Sequence, residues 1–217
     1  FTTTLVYTII NTTTIKPKIM KKSTLVLSIA IAALGFTAFT ANTNVAKTNG
    51  TSTDIIHWTG SKVAGDHTGT LQIKESSVII KGGKLTGGTV VVDMKSMINT
   101  DLEGEWNAKL IGHLHSEDFF STDKYPTSIL KITKVSASKK ANTYNVVADL
   151  TIKGITKSEN FEVTLKDEGS SYLITSNVKI DRTKYDVRYG SSSFFDDLGD
   201  KAISNEFSLG VTLHSAK

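Results

Sequence analysis

The chain has 217 residues, with 25 Lys and Arg against 21 Asp and Glu, two Pro and no Cys, and 39% of its residues are hydrophobic. These figures exclude a disordered acidic tail, a collagen-like fibre and a disulfide-stapled mini-protein, and they leave room for one domain with its own core. The formal charge of +4 invites a nucleic-acid partner, yet residues 1–41 hold Lys16, Lys18, Lys21 and Lys22 and no acid, which leaves 21 basic residues against 21 acidic ones from Asn42 onward. Counter-ion release on DNA or RNA needs a basic surface that such a balanced domain does not supply, so no nucleic-acid partner is expected.

Residues 1–19 carry no fold signal and read as a translated leader or an over-extended gene start. Residues 20–41 read as a signal peptide. Met20 is followed by the cationic pair Lys21 and Lys22, an apolar run from Leu25 to Phe36, and the small residues Thr37, Ala38, Thr40 and Ala41. The alternative, a transmembrane anchor, needs about 20 apolar residues, and this run is shorter and diluted by Ser, Thr and Gly. No stable membrane anchor is therefore expected, and a cleavage junction anywhere from Ala38 to Ala46 is compatible with the pattern. Without Cys there is neither a disulfide nor a lipidation site at the junction. Residues 42–53, rich in Asn, Thr, Ala and Gly, read as a flexible linker, and residues 54–217 as the exported domain, in a periplasmic or secreted setting.

Within that domain the dominant period is two. Leu71 and Ile73, Val78 and Ile80, Val90, Val92 and Met94, and Leu130 and Ile132 alternate with polar or smaller residues. The same holds for Tyr144 to Ile152, Phe161 to Leu165, Tyr172 to Ile180 and Phe207 to Leu213. One wet and one buried face per strand is the signature of an antiparallel sheet. Turn chemistry at Gly82-Gly83, Gly87-Gly88, Lys153-Gly154 and Lys166 to Gly169 separates about eight strands, which predicts an all-β barrel or sandwich. One helix interrupts them, with Thr100 and Glu103 as a capping box and Trp106, Leu110, Ile111 and Leu114 on its buried face.

Chemistry-bearing motifs are sparse. His113 and His115 lie two apart on that helix and point in opposite directions, so they read as a hydrogen-bonded core histidine and a surface one rather than as metal ligands. Asp196, Asp197 and Asp200 have the spacing of a magnesium-binding aspartate motif but fall in a Ser- and Gly-rich loop, where a solvated acidic loop is the simpler reading. The Gly-rich stretch Lys81 to Gly88 lacks the ending of a phosphate loop, no Ser sits in a nucleophile elbow, and His57 and His67 have no identifiable triad partner. No catalytic residue, metal or cofactor is expected. Aromatic residues cluster in two loops, Phe119-Phe120 before Tyr125, and Tyr185, Tyr189 and Phe194-Phe195. They serve either as staples closing a barrel end or as an apolar rim for a greasy ligand.

Several ordered motifs resemble the YceI-like family of polyisoprenoid-binding proteins. They are Trp58-Thr59-Gly60-Ser61-Lys62 with His67-Thr68-Gly69, Asp93-Met94-Lys95-Ser96, His113 to Phe120, Tyr125-Pro126, Leu150 to Thr156, and Asp181 to Val187. The resemblance runs from about Ile55 to Leu213. It implies an eight-stranded antiparallel lipocalin-like barrel with a helical insertion, holding a long isoprenoid, quinone or fatty amide, with frequent homodimers and no cofactor chemistry. On that basis alternation places Trp58, Ile73, Val92, Ile132, Val146, Ala148, Leu150, Val163, Ile174 and Phe207 against the ligand's tail. Phe119, Phe120, Phe194 and Phe195 are placed at the rim. Lys62, His67 and Arg182 are the candidate headgroup contacts, with Arg182 equally suited to a structural network inside the barrel. Two competing readings are an enzyme acting on such lipids and a ligand-free envelope interaction module.

Overall fold

The structure, a computed structural model, describes residues 54–217 and, for the backbone alone, residues 43–49; the expected leader and signal peptide lie outside the described residues. Residues 43–49, expected within a linker, instead pair as strand β1 (Thr43–Asn49). The reason lies in the neighbouring strand. β3 (Gly65–Lys81) is 17 residues long, and β2 (Ile55–Lys62) covers its edge only as far as Gln72. β1 takes up the unpaired backbone groups from Glu75 to Lys81, in line with β2.

The remaining strands are β4 (Lys84–Asn99), β5 (Thr127–Ala137), β6 (Thr143–Ile152), β7 (Ile155–Asp167), β8 (Ser171–Asp181) and β9 (Ile203–Ala216). Each pairs antiparallel with its successor, and β9 pairs with β2, so β2 to β9 form a closed eight-stranded barrel, one of the two architectures that alternation and turn spacing leave open and the one that the resemblance implies. Alternation fills the interior. In β6, Val146, Ala148, Leu150 and Ile152 are buried and the residues between them are not. Each fully buried Val, Leu or Ile contributes roughly 1.5–3 kcal/mol, so one such strand face anchors a whole stave of the barrel.

The two barrel ends differ. One is closed by tight turns, including Gly82-Gly83, where both glycines adopt the positive φ that a two-residue hairpin requires. The other carries the long connections: helix α1 (Gly104–His115) between β4 and β5, and residues 182–202 between β8 and β9. At this end the β7–β8 ladder splays, because the two strands pair only over Val163–Asp167, whereas the β4–β5 ladder, which pairs only over Thr89–Asp93, opens towards the tight-turn end. Tyr185 contributes to closing the β7–β8 gap. It is wholly buried rather than part of an aromatic rim, and it donates to Glu159 Oε1 of β7 at 3.0 Å.

Three local expectations are corrected. Gly87 and Gly88 are not a turn but lie inside β4, opposite Ile79 and Val78; a Cβ at Gly88 would sit 2.8 Å from the Ser77 carbonyl oxygen, so glycine is there for close strand approach. No capping box forms. Thr100 Oγ1 turns to Thr68, and Glu103 sits at the N-cap without a side-chain bond. The turn is held instead by Asn99, which accepts from Leu102 N, and by Asn107, which donates to Leu102 O, both at 2.8 Å. Trp106 is 70% exposed, with Lys109 over its ring, and only Leu110, Ile111 and Leu114 of the predicted face pack on the barrel.

Candidate functional site

The barrel interior is not completely filled. Near the end that carries α1 lies an upper chamber of about 130 Å³, and towards the tight-turn end a lower one of about 120 Å³. Each approaches the roughly 150 Å³ of an apolar cavity that stays dry and accepts a benzene-sized guest. Ile56, Val92, Ser128, Leu150 and Leu209 line both, so the chambers adjoin at a shared waist and together make up the barrel lumen.

The upper chamber gathers Trp58, Val92, Leu150, Phe119, Phe120 and Phe207 from the predicted set, and the lower one Val92, Ile132, Leu150, Val163 and Ile174. Ile73, Val146 and Ala148 are buried in the same core but lie off both walls. For two of them the cause is cross-strand packing: the longer Ile132 faces Ala148, and Phe161 and Val135 flank Val146, so the larger partners meet the lumen or stand between. Phe194 and Phe195 do not line the lumen. They are 45% and 49% exposed, Phe194 beneath the Arg188 guanidinium at 4.9 Å and Phe195 in a shallow outer recess.

Sequence reasoning missed Met94, Met97, Leu114 and Ile203 in the upper wall. Met94 and Met97 both face inward because β4 bulges between Asp93, opposite Gln72, and Ile98, opposite Thr70. The bulge is built by Asp93-Met94-Lys95-Ser96: Lys95 N donates to Asp93 Oδ1 at 2.9 Å, and Ser96 Oγ donates to Asp93 O at 2.6 Å and accepts from Gln72 N at 2.8 Å. Asp and Ser inside an otherwise apolar strand were the available signal.

Arg182 is the charged group of the upper wall that is buried. Its Nε donates to Ser204 O at 2.8 Å, Nη1 to Val187 O at 2.8 Å and Nη2 to Ile203 O at 3.0 Å, and no carboxylate lies within ion-pair distance among the described residues. Its ring-facing side lies 5.7 Å from Phe119. Burial lowers its pKa, with Asp181 opposing. Of its two candidate roles, the geometry displays the structural network, which ties the residue 182–202 connection to the start of β9.

Above the upper chamber a rim recess of about 240 Å³ is lined by Trp58, Ser61, Lys62, His67, His113 and Tyr189, among others. Trp58 Nε1 donates to Ile98 O at 3.1 Å, and its indole lies against Gly69, opposite it in register. His67 Nδ1 is 2.8 Å from Asp101 Oδ2. Partial desolvation raises the Asp101 pKa, but bonds from the Thr68 amide, His67 and Asn99 outweigh it and hold the carboxyl at about 2. An oriented His–Asp pair supplies two of the three members of a triad, yet no hydroxyl of the described residues is hydrogen-bonded to the remaining His67 nitrogen.

The helical histidines exchange their expected roles. His115 is the hydrogen-bonded one, 2.8 Å from Thr122 Oγ1. His113 Nε2 is buried without a hydrogen bond, 3.9 Å from Asp118 Oδ2, in an aromatic cage with ring centroids 5.1 Å from Phe119 and 4.4 Å from Tyr189. The aspartates 196, 197 and 200 lie on or near the surface, and the described residues contain no group of three or more acidic or histidine side chains able to hold a metal.

A model of the YceI-like domain matches residues 22–214. The chain belongs to the YceI-like family. Curated relatives include a UPF0312 protein of Staphylococcus aureus (strain USA300), 36% identical over 104 residues, or 45% of this chain and 54% of the relative. A UPF0312 protein of Photorhabdus laumondii is 40% identical over 57 residues, 26% of this chain and 29% of that one. The matches thus span about half the length of the staphylococcal relatives and less of the other. Among solved structures, Burkholderia cenocepacia BcnA superposes with TM-score 0.61 at 17% identity, over 75% of this chain and 96% of its own. A polyisoprenoid-binding domain from Saccharophagus degradans gives 0.57 at 15% identity, over 80% and 100%. These likenesses establish the YceI-like barrel fold, and family and fold together support a binding role.

Proposed function

We propose that this YceI-like protein is a non-catalytic carrier or sequestering protein that holds the apolar chain of a polyisoprenoid or related long-chain amphiphile, such as a quinone or fatty amide, in its lumen. It acts in the bacterial periplasm or is secreted, once residues 20–41 are removed. The observation that carries the proposal is the pair of apolar chambers that adjoin at the waist, with the rim recess, where Ser61, Lys62, His67 and His113 stand among apolar side chains, above the upper one.

The tail enters at the rim, passes Trp58, Phe119 and Phe207, crosses the waist at Val92, Leu150 and Leu209, and reaches Ile132, Val163 and Ile174. Ten buried methylenes contribute on the order of 8 kcal/mol before ordering costs, enough for capture without specific polar contacts. The head stays at the rim beside Lys62 and His67, where His113 Nε2 adds a hydrogen-bonding position, while Arg182 holds the wall. The Saccharophagus neighbour, described as polyisoprenoid-binding, supports the ligand class.

Organic extraction of purified protein followed by mass spectrometry tests the proposal. The expected result is a chemically intact long-chain lipid at about one per chain, and its loss in Leu209→Trp, which fills the waist at a stability cost of roughly 1–3 kcal/mol. Turnover of a prenyl substrate that disappears in His67→Ala would replace the carrier with an enzyme.

A further inference from the structure

Seven large hydrophobic side chains are exposed among the described residues, and all but Ile129 belong to the end of the barrel where the lumen opens: Val63, Ile98, Trp106, Tyr189, Phe194 and Phe195. Monomeric surfaces scatter such residues singly, and their concentration at one place marks a contact surface. Val63 N donates to Ala202 O, and Ile203 N to Gly190 O at 2.8 Å, which brings the β2–β3 turn and the aromatic loop together.

The loop that presents the aromatics is braced. The backbone N–H groups of Phe194 and Phe195 both donate to Ser191 O at 3.0 Å, Ser191 Oγ donates to Asn205 Oδ1 at 2.6 Å, and Asn205 Nδ2 donates to Ser193 Oγ at 2.7 Å. Two phenyl rings are therefore held outward against the hydrophobic effect, which would favour folding them in. The same loop lines the way in: Tyr189 belongs to the rim recess, and Ile203 to both that recess and the upper chamber.

We propose that this end is a membrane-docking tip, which inserts Phe194 and Phe195 into the interfacial layer of a lipid bilayer and so joins the mouth of the lumen to the apolar phase. The inference rests on the lipid-carrier reading and adds how the cargo crosses without meeting water. A bilayer fits better than a protein groove because the cargo of such a lumen resides in one, and because aromatic rings at a polar boundary are the chemistry of interfacial anchoring. The connection of residues 182–202 carries Asp186, Asp196, Asp197 and Asp200 against Arg182, Lys184, Arg188 and Lys201 and so has no net positive charge, which makes docking a matter of apolar burial on uncharged lipid and not of attraction to anionic headgroups.

The absence of Cys allows one clean test on the full chain. Asp196→Cys, beside the two rings, and Lys139→Cys, in the β5–β6 turn at the opposite end, each receive a nitroxide whose accessibility to oxygen and to a water-soluble relaxant is measured with phosphatidylcholine vesicles. The label at 196 is expected to enter the bilayer interface while that at 139 stays aqueous, and Phe194→Ser with Phe195→Ser should weaken the vesicle contact of the label at 196 on the order of tenfold. A label at 196 that stays aqueous overturns docking. So does one immersed only in anionic vesicles, only with a protein extract, or equally at both ends. Loading of a fluorescent polyprenol from detergent micelles, measured in parallel, reports on the lumen alone, so a failed tip on a loading protein leaves the carrier reading standing.

Discussion

The two ends of the barrel solve the same problem, how to terminate eight strands, in opposite ways. At the closed end, strands stop at tight turns and the surface is charged, with Lys140 on Glu162, Lys166 on Glu168 and Lys217 on Asp167. At the open end, the β7–β8 ladder splays and the long connections are tied down by side chains: Tyr185 on Glu159, Arg182 on three carbonyls, Asp101 on His67, Thr68 and Asn99. One end is held mainly by tight turns and the other by a set of individual side chains, and the rim recess lies at the second.

If that contrast is right, substitutions at the open end should matter most. Gly69→Ala is expected to have the largest effect, because its Cβ would lie 1.9 Å from Ile98 O and 2.5 Å from the Trp58 ring. A loss of about 3 kcal/mol in urea unfolding is predicted, together with a red shift of Trp58 emission. Arg182→Met removes the donors to Ser204, Val187 and Ile203 and should cost roughly 2–3 kcal/mol, with faster amide exchange in residues 186–203 while β6 stays protected. Asp101 gives a pH-dependent signature. Its carboxyl sits at about 2 when folded, against an ordinary value of about 3.9 in the unfolded chain, so its contribution is whole above pH 4 and is lost as pH falls towards 2. Asp101→Asn should flatten that part of the stability–pH curve. At the closed end, Lys140→Ala removes an exposed ion pair and should change stability by no more than about 0.5 kcal/mol. A larger loss there than at Arg182 would dissolve the contrast.

The closed end was the more legible in sequence, for a physical reason. Alternation with a period of two and paired glycines are local signals, and they specify strands such as β6 and turns such as Gly82-Gly83 directly. The open end depends on contacts between residues far apart in the chain, which no local pattern carries: Arg182 with Ser204, Tyr185 with Glu159, Trp58 with Ile98. Gly87-Gly88 misled because glycine serves close strand approach as well as turns, and Trp106 because helical spacing does not say where the barrel surface ends. The inward faces were readable, whereas which inward residues touch empty space depended on the size of their cross-strand neighbours, as Ala148 and Val146 illustrate.

The proposed function stands or falls with an apolar chain that occupies the lumen from the open end. The most direct measurement is titration of Trp106→Phe protein with polyprenols of increasing length, leaving Trp58 in the upper wall as the only indole. Binding in the lumen predicts a saturable change in Trp58 emission at one ligand per chain, an affinity that rises with chain length until the lower chamber is filled, and a much weaker response when Leu209→Phe, which adds no indole, narrows the waist. Folded protein whose Trp58 emission ignores every polyprenol, or an affinity independent of length in the unplugged barrel, would contradict it.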